Sequence, residues 1–102
     1  MNQIERIKYM EQILDQTSFA IQDLSDSLSV YASLLSKIKE LESYYQSSLW
    51  LKDFEDDEKN LLPDSLKRGV LSEDALYDLF SNQDELLLYM ESLIYTSKNE
   101  RS

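Results

Sequence analysis

The sequence lacks two residue types on which enzymes commonly depend, because it contains neither cysteine nor histidine. Without cysteine it has no disulfides, no thiolate metal sites and no cysteine nucleophile. Without histidine it also lacks the commonest general base and the commonest metal ligand. No recognisable catalytic set remains, so the sequence favours a protein that is not an enzyme and that needs no cofactor.

Glycine and proline are equally scarce, with one of each in 102 residues. Tight β-hairpin turns depend on glycine, whereas helix interiors exclude both residue types. Leucine, serine, glutamate and aspartate are abundant instead. The composition therefore predicts an all-α fold, and the length suits a single helical domain over residues 1–102 with a modest core.

Basic residues are half as frequent as acidic ones, which leaves a net charge of -10. A surface of this sign is repelled by nucleic acid and by anionic membranes. The only adjacent basic pair is Lys67 and Arg68, so we expect no direct binding to nucleic acid or to a membrane. The N-terminus lacks the pattern of a signal peptide and no run is long enough to span a bilayer, so a cytoplasmic location is expected.

An apolar heptad repeat, here called the seam, is the most informative pattern that is present. Its residues recur at alternating steps of three and four: Ile7, Met10, Leu14, Thr17, Ile21, Leu24, Leu28, Tyr31, Leu35 and Ile38. The seam predicts one helix from about residue 3 to about residue 50. A break at 15–18 is the alternative, because helix propensity is poor there, although a hairpin would not preserve the heptad phase.

The later half of the seam is flanked by further apolar residues, so we expect the C-terminal helices to pack against residues 28–41. Its earlier half has no evident partner within the chain. An exposed apolar stripe of that size is typical of a protein interface. The predicted interaction face comprises Ile7, Met10, Leu14, Ile21 and Leu24, and its expected partner is a second copy in a homodimer or another protein.

The rest of the chain predicts an acidic loop at about 53–62 followed by short helices. Pro63 is suited to the first turn of a helix at 63–68, which Gly69 would close. Ser72 is the predicted N-cap of a helix at 72–80, and Asn82 that of a final helix at 82–97. Together with the long helix, these elements predict a coiled-coil-like helical bundle.

Three other functions remain open on particular residues. Glu55 and Glu58 form an E-x-x-E step like that of magnesium-dependent nucleotide hydrolases, which makes them the candidate metal ligands, but a matching acidic pair is missing. The acidic surface would also suit an inhibitor that imitates nucleic acid. A cluster of aromatic residues forms either core or a ligand cleft with Asp53 at its mouth: Tyr44, Tyr45, Trp50 and Phe54. No small-molecule substrate is evident.

Several of these residues carry a resemblance to a known family. With Tyr44, Tyr45, Trp50, Asp53, Pro63 and the run Gly69-Val70-Leu71-Ser72-Glu73-Asp74, the chain resembles small bacterial proteins grouped as domain of unknown function 4298. The resemblance covers most of the chain, and the run after the proline is its most specific part. It implies a bacterial cytoplasmic protein and supplies no catalytic residues.

Overall fold

A computed structural model describes residues 1–101, and these residues form helices and turns without a β-strand. In chain order they are α1 (Gln3–Tyr45), α2 (Ser48–Glu58), a 3-10 turn (Gly69–Leu71) and α3 (Glu73–Arg101). The all-α prediction is confirmed. The chain divides into two compact units, the first ending at Glu42 and the second beginning at Ser43. That these form a single domain stays a prediction.

Helix α1 begins at Gln3 and runs without interruption through residues 15–18, so the alternative of a turn there is wrong. Its 43 residues give it a length of about 65 Å at 1.5 Å per residue. Asn2 caps its start, since the Asn2 side-chain oxygen accepts the Glu5 N–H at 2.8 Å. No side chain of α1 is buried.

Helix α1 ends at Tyr45 rather than near residue 50, and Ser47 is the physical reason. The Ser47 hydroxyl donates to the Tyr44 carbonyl at 2.6 Å and accepts the Trp50 N–H at 3.3 Å. A single side chain thus satisfies one backbone group of the ending helix and caps the next one. Serine competes with the helical hydrogen-bond ladder in this way, which a hydrophobic pattern does not reveal.

The acidic segment was predicted to be a loop at about 53–62, but its residues 53–58 belong to α2. Apart from Asp56, which is also half-buried, the least exposed residues of α2 are Trp50, Asp53, Phe54 and Asp57. Their spacing of three, four and seven residues from Trp50 is that of one helix face. An ion pair at 3.1 Å between Lys52 and Asp56 adds support one turn apart.

The C-terminus of α2 is closed by a Schellman motif. Asn60 has a φ of 58°, its N–H donates to the Asp57 carbonyl at 3.0 Å, and the Leu61 N–H donates to the Asp56 carbonyl at 2.9 Å. Asparagine is among the few residues that adopt this left-handed conformation readily. The loop therefore begins at residue 59, six residues later than predicted.

The predicted helix at 63–68 is absent. Residues 63–66 form a turn whose backbone hydrogen bond joins the Leu66 N–H to the Pro63 carbonyl at 3.1 Å. Gly69 begins the 3-10 turn instead of closing a helix. Side chains of α2 hold this segment, since the Trp50 indole N–H donates to the Val70 carbonyl at 2.9 Å and Arg68 pairs with Asp57 at 2.7 Å.

The two helices predicted at 72–80 and 82–97 are one helix, α3. It begins after Ser72, whose hydroxyl oxygen accepts the Ala75 N–H at 3.2 Å, and Leu71 and Leu76 on either side of this cap are buried. Asn82 lies inside α3, so a cap there is wrong. The N–H groups that follow Asn82 already have partners within the continuous helix.

A small aromatic core lies in the second unit. Trp50 is only 6% exposed, with the Tyr45 ring edge-on at a centroid distance of 5.2 Å and the Phe54 ring stacked at 5.1 Å. Tyr45 in turn stacks on Phe80 at 6.3 Å, which links α3 to this cluster. Rings in such contact contribute more than their buried area alone.

Candidate functional site

The predicted interaction face lies on α1 and is open along its length. Its five side chains are between 53% and 63% exposed: Ile7, Met10, Leu14, Ile21 and Leu24. Since α1 is unbroken, these residues remain in one heptad phase and form a continuous apolar face. Helices in proteins draw most of their stability from packing an apolar face against another element. On α1 these five side chains remain exposed.

The surroundings of the seam carry no charge over three helical repeats. In the standard heptad lettering, with Ile7 at position a, no residue at positions a, d, e or g from Ile13 to Leu34 is charged. The three acids of that segment, Asp15, Asp23 and Asp26, all lie at positions b, c or f. We call this surface the uncharged stripe. Its flanks are mostly small: Ser18, Ala20, Ser25, Ser27 and Ala32.

The uncharged stripe has a direct consequence for packing. Small side chains at the flanking positions let a second helix approach closely, and the absence of charge leaves no carboxylate to be desolvated or repelled. The net charge of the chain is -10, so a stripe without any charged residue differs strongly from the acidic composition of the chain as a whole. The apolar periodicity does not reveal this stripe, because the stripe depends on where the charged residues lie along a continuous helix.

A separate concave site lies in the second unit, where a cleft of about 300 Å³ is lined by the last turn of α1, by α2 and by the segment that precedes α3. Its lining residues are Tyr44, Asp53, Leu62, Leu66, Lys67, Val70 and Leu71. The Tyr44 hydroxyl donates to Asp53 Oδ2 at 2.5 Å. The cleft thus combines an apolar wall with one carboxylate, one phenol and one ammonium group, a mixture typical of small-ligand sites.

The Tyr44 to Asp53 hydrogen bond sets the electrostatics of this cleft. The pKa of Tyr44 is raised to about 12, first because its hydroxyl is held by the Asp53 carboxylate, then by burial and by the repulsion of the nearby negative charge. Tyr44 therefore remains a neutral hydrogen-bond donor at physiological pH, and the second oxygen of Asp53 is left to accept from another group.

The structure divides the aromatic cluster that the sequence treated as one group. Tyr45, Trp50 and Phe54 form the ring contacts of the core, whereas Tyr44 lines the cleft beside Asp53. Consecutive residues near a helix end point in different directions, which explains how Tyr44 and Tyr45 are separated. Lys67, which also lines the cleft, was not predicted as a site residue.

The candidate metal ligands Glu55 and Glu58 both lie on α2 and are exposed. Within residues 1–101, no three acidic side chains come together as a group that could hold a metal ion. Over the same residues, no helix combines the length and the apolar character needed to cross a membrane.

Helix α3 also presents exposed apolar side chains, the most exposed of which are Tyr77, Leu88, Tyr89 and Tyr95. A shallow depression on its surface is lined by Leu87 and Leu88 and by two acids, Asp84 and Glu91. Unlike the stripe on α1, this surface mixes apolar and acidic groups.

A comparison with known protein families finds a match over most of the chain. Residues 7–93 match the family described as domain of unknown function (DUF4298). The chain belongs to this family. No curated protein and no solved structure matches it significantly. Several residues that carry the resemblance to DUF4298 meet in the second unit, where Tyr44 bonds Asp53 and Trp50 bonds Val70.

Proposed function

We propose that this DUF4298 protein is a protein–protein interaction module without enzymatic activity, and that it self-associates through the seam of α1. The observation that carries the proposal is the exposure of five large apolar side chains in one phase along an uninterrupted helix of 43 residues. Burying a leucine or isoleucine side chain contributes about 1.5–3 kcal/mol relative to leaving it exposed. A partner helix would gain this stabilisation at several positions.

A second copy is the partner that the chain itself supplies. The uncharged stripe supports this choice, because two chains that each carry a net charge of -10 repel one another except along a surface free of charge. A basic partner would gain nothing from a stripe that lacks acids.

The mass of the protein in solution tests the proposal. Light scattering on the protein eluting from a sizing column should give twice the chain mass of 12.0 kDa at micromolar concentration. Ile21→Asp should reduce this to the mass of a single chain, because it places a carboxylate in the centre of the seam.

Phe19→Asp is the matched control. Phe19 is 74% exposed and lies two residues from Ile21, at the heptad position opposite the seam, so this variant removes an exposed apolar side chain and adds the same charge. Phe19→Asp should therefore still elute with twice the mass of a single chain. A monomeric wild type would overturn the proposal, and loss of association in Leu88→Asp alone would place the interface on α3 instead.

A further inference from the structure

We propose that the cleft of the second unit binds a free amino acid with an apolar side chain, whose ammonium group contacts Asp53 and whose carboxylate contacts Lys67. This site goes beyond the proposed self-association, because it uses no residue of the seam and lies wholly within the second unit. Its basis is the two charged groups of the lining, the apolar side chains that share the cleft with them, and the contacts that hold the lining to α2.

The cleft carries one charge of each sign, and the two do not neutralise each other. Asp53 and Lys67 both line it, but neither belongs to an ion pair within residues 1–101. The carboxylate and the ammonium group are therefore both available to a ligand. A ligand that matches them carries one positive and one negative group, which is the charge pattern of a free amino acid.

Asp53 can accept one hydrogen bond from such a ligand without losing the bond it already has. The Tyr44 hydroxyl donates to Asp53 Oδ2 at 2.5 Å, which holds the carboxylate in place and leaves Oδ1 for the ligand. Tyr44 keeps its proton at physiological pH, because its pKa is raised to about 12. An ammonium group that donates to Oδ1 would form a charge-assisted hydrogen bond, roughly twice as strong as a neutral one.

The apolar part of the lining suits a small hydrocarbon side chain. Leu71 is buried, whereas Leu66 is 49% exposed and Val70 37% exposed, so both leave apolar surface for a ligand to cover. Covering this surface is favourable, because it removes apolar area from water. The cleft volume of about 300 Å³ lies at the lower end of the range of ligand pockets, roughly 300–1,000 Å³, so the ligand is small.

Two long-range contacts hold the lining in place. The Trp50 indole N–H donates to the Val70 carbonyl at 2.9 Å. Arg68 pairs with Asp57 at 2.7 Å. Both contacts tie the segment 67–71 to α2, so a ligand does not have to order this segment when it binds. A site that is already ordered loses less free energy on binding.

Other classes of ligand match the lining less well. A calcium ion takes about six to eight oxygen ligands, whereas the lining offers a single carboxylate, that of Asp53. A nucleotide or a phosphate ester would place several negative charges beside this carboxylate, and like charges repel. An amine without a carboxylate would leave its positive charge beside Lys67 with nothing to offset the repulsion.

Titration with L-leucine, followed by amide NMR spectroscopy of the full chain, tests the proposal. The signals of the Asp53 and Lys67 amides and of the Trp50 indole N–H should shift and saturate at millimolar ligand concentrations. Three analogues each lack one feature of the ligand: leucinamide lacks the carboxylate, N-acetyl-leucine the ammonium group and glycine the apolar side chain. Each should bind at least tenfold more weakly than L-leucine.

Lys67→Gln should weaken the binding of L-leucine at least tenfold and should not weaken that of leucinamide, because leucinamide has no carboxylate to meet Lys67. Lys67 is exposed, so its replacement leaves the fold intact. Lys59→Gln is the matched control, since Lys59 is also exposed and removes the same charge from the same unit without lining the cleft. It should bind L-leucine as the wild type does.

Three outcomes would each overturn the proposal. The first is the absence of saturable shifts with both L-leucine and L-phenylalanine. The second is equal affinity for leucinamide and L-leucine, which would indicate a peptide N-terminus or another amine instead of a free amino acid. The third is an equal loss of affinity in Lys67→Gln and Lys59→Gln, which would show an effect of overall charge and not a contact in the cleft.

Discussion

At the scale of single residues, three polar residues organise the second unit. Ser47 ends one helix and starts the next, Asn60 closes α2 in a left-handed conformation, and Tyr44 fixes the carboxylate of Asp53 in the cleft. Each acts through one or two hydrogen bonds of ordinary length. Such a bond contributes only about 1 kcal/mol to stability. It nevertheless determines where a helix begins or ends, or how a side chain is held.

Tyr44→Phe should destabilise the protein by about 1 kcal/mol near neutral pH, because it removes the hydrogen bond to Asp53. The pKa of Tyr44 is raised to about 12 from an ordinary value of 10.0. A raised pKa stabilises the fold fully below pH 10, and this contribution is lost as the pH rises through about 12. Urea denaturation of both proteins across this range should therefore show the difference shrinking above pH 10.

A direct titration checks the same hydrogen bond. The absorbance of ionised tyrosine, taken as the difference between the wild type and Tyr44→Phe, should have a midpoint near 12. In an Asp53→Asn background the midpoint should fall, since the charge that opposes ionisation has been removed. A midpoint at 10 in the wild type would contradict the hydrogen bond.

At the scale of helices, α2 illustrates how a cap determines a boundary. Five of its last six residues are acidic. The helix nevertheless persists to Glu58, because Trp50 and Phe54 face inward and because its end is closed by the Schellman bonds of Asn60 and Leu61. The stability of this end depends on the conformation of one residue rather than on the composition of the segment.

Asn60→Ala should lower the free energy of unfolding by about 1 kcal/mol, because alanine adopts a φ of 58° less readily than asparagine. Asn60→Gly should stay within about 0.5 kcal/mol of the wild type, since glycine adopts this region freely. Urea denaturation measures both. Lys59→Ala is the matched control, because Lys59 has an ordinary φ of -86°. Equal losses for Asn60→Ala and Asn60→Gly would contradict this explanation.

At the scale of the whole molecule, two opposing features govern association. The net charge of -10 keeps copies apart, whereas the seam and the uncharged stripe of α1 favour contact. Repulsion between like charges acts over a distance set by salt, about 30 Å at 0.01 M and about 8 Å at 0.15 M ionic strength. Burial of apolar surface is short-ranged and depends far less on salt at these concentrations.

Self-association should therefore become several-fold tighter when sodium chloride rises from about 0.01 M to about 0.15 M, because screening removes repulsion and leaves the apolar contact intact. Sedimentation equilibrium at the two salt concentrations measures the dissociation constant. Ile21→Asp should remain a monomer at both. Weaker association at the higher salt would show that opposite charges hold the copies together, which would contradict an interface built on the uncharged stripe.

The sequence alone determined the features that depend on neighbours within one helix. The scarcity of glycine and proline predicted an all-α fold, and the unbroken heptad phase predicted the continuity of α1 through residues 15–18. Ser72 was identifiable as a helix start because its preference for that position is local. Each of these signals connects residues no more than a few positions apart, so it is preserved in the linear pattern.

Only the tertiary structure decided how the second unit is built. Trp50 bonds a carbonyl twenty residues away at Val70, and Arg68 reaches back to Asp57. These contacts hold residues 63–68 as a turn and loop where a short helix was predicted. The cleft between Tyr44, Asp53 and Lys67 exists for the same reason. Contacts of this separation have no period in the sequence, because they depend on where the chain turns, and those turns are set by Ser47 and Asn60.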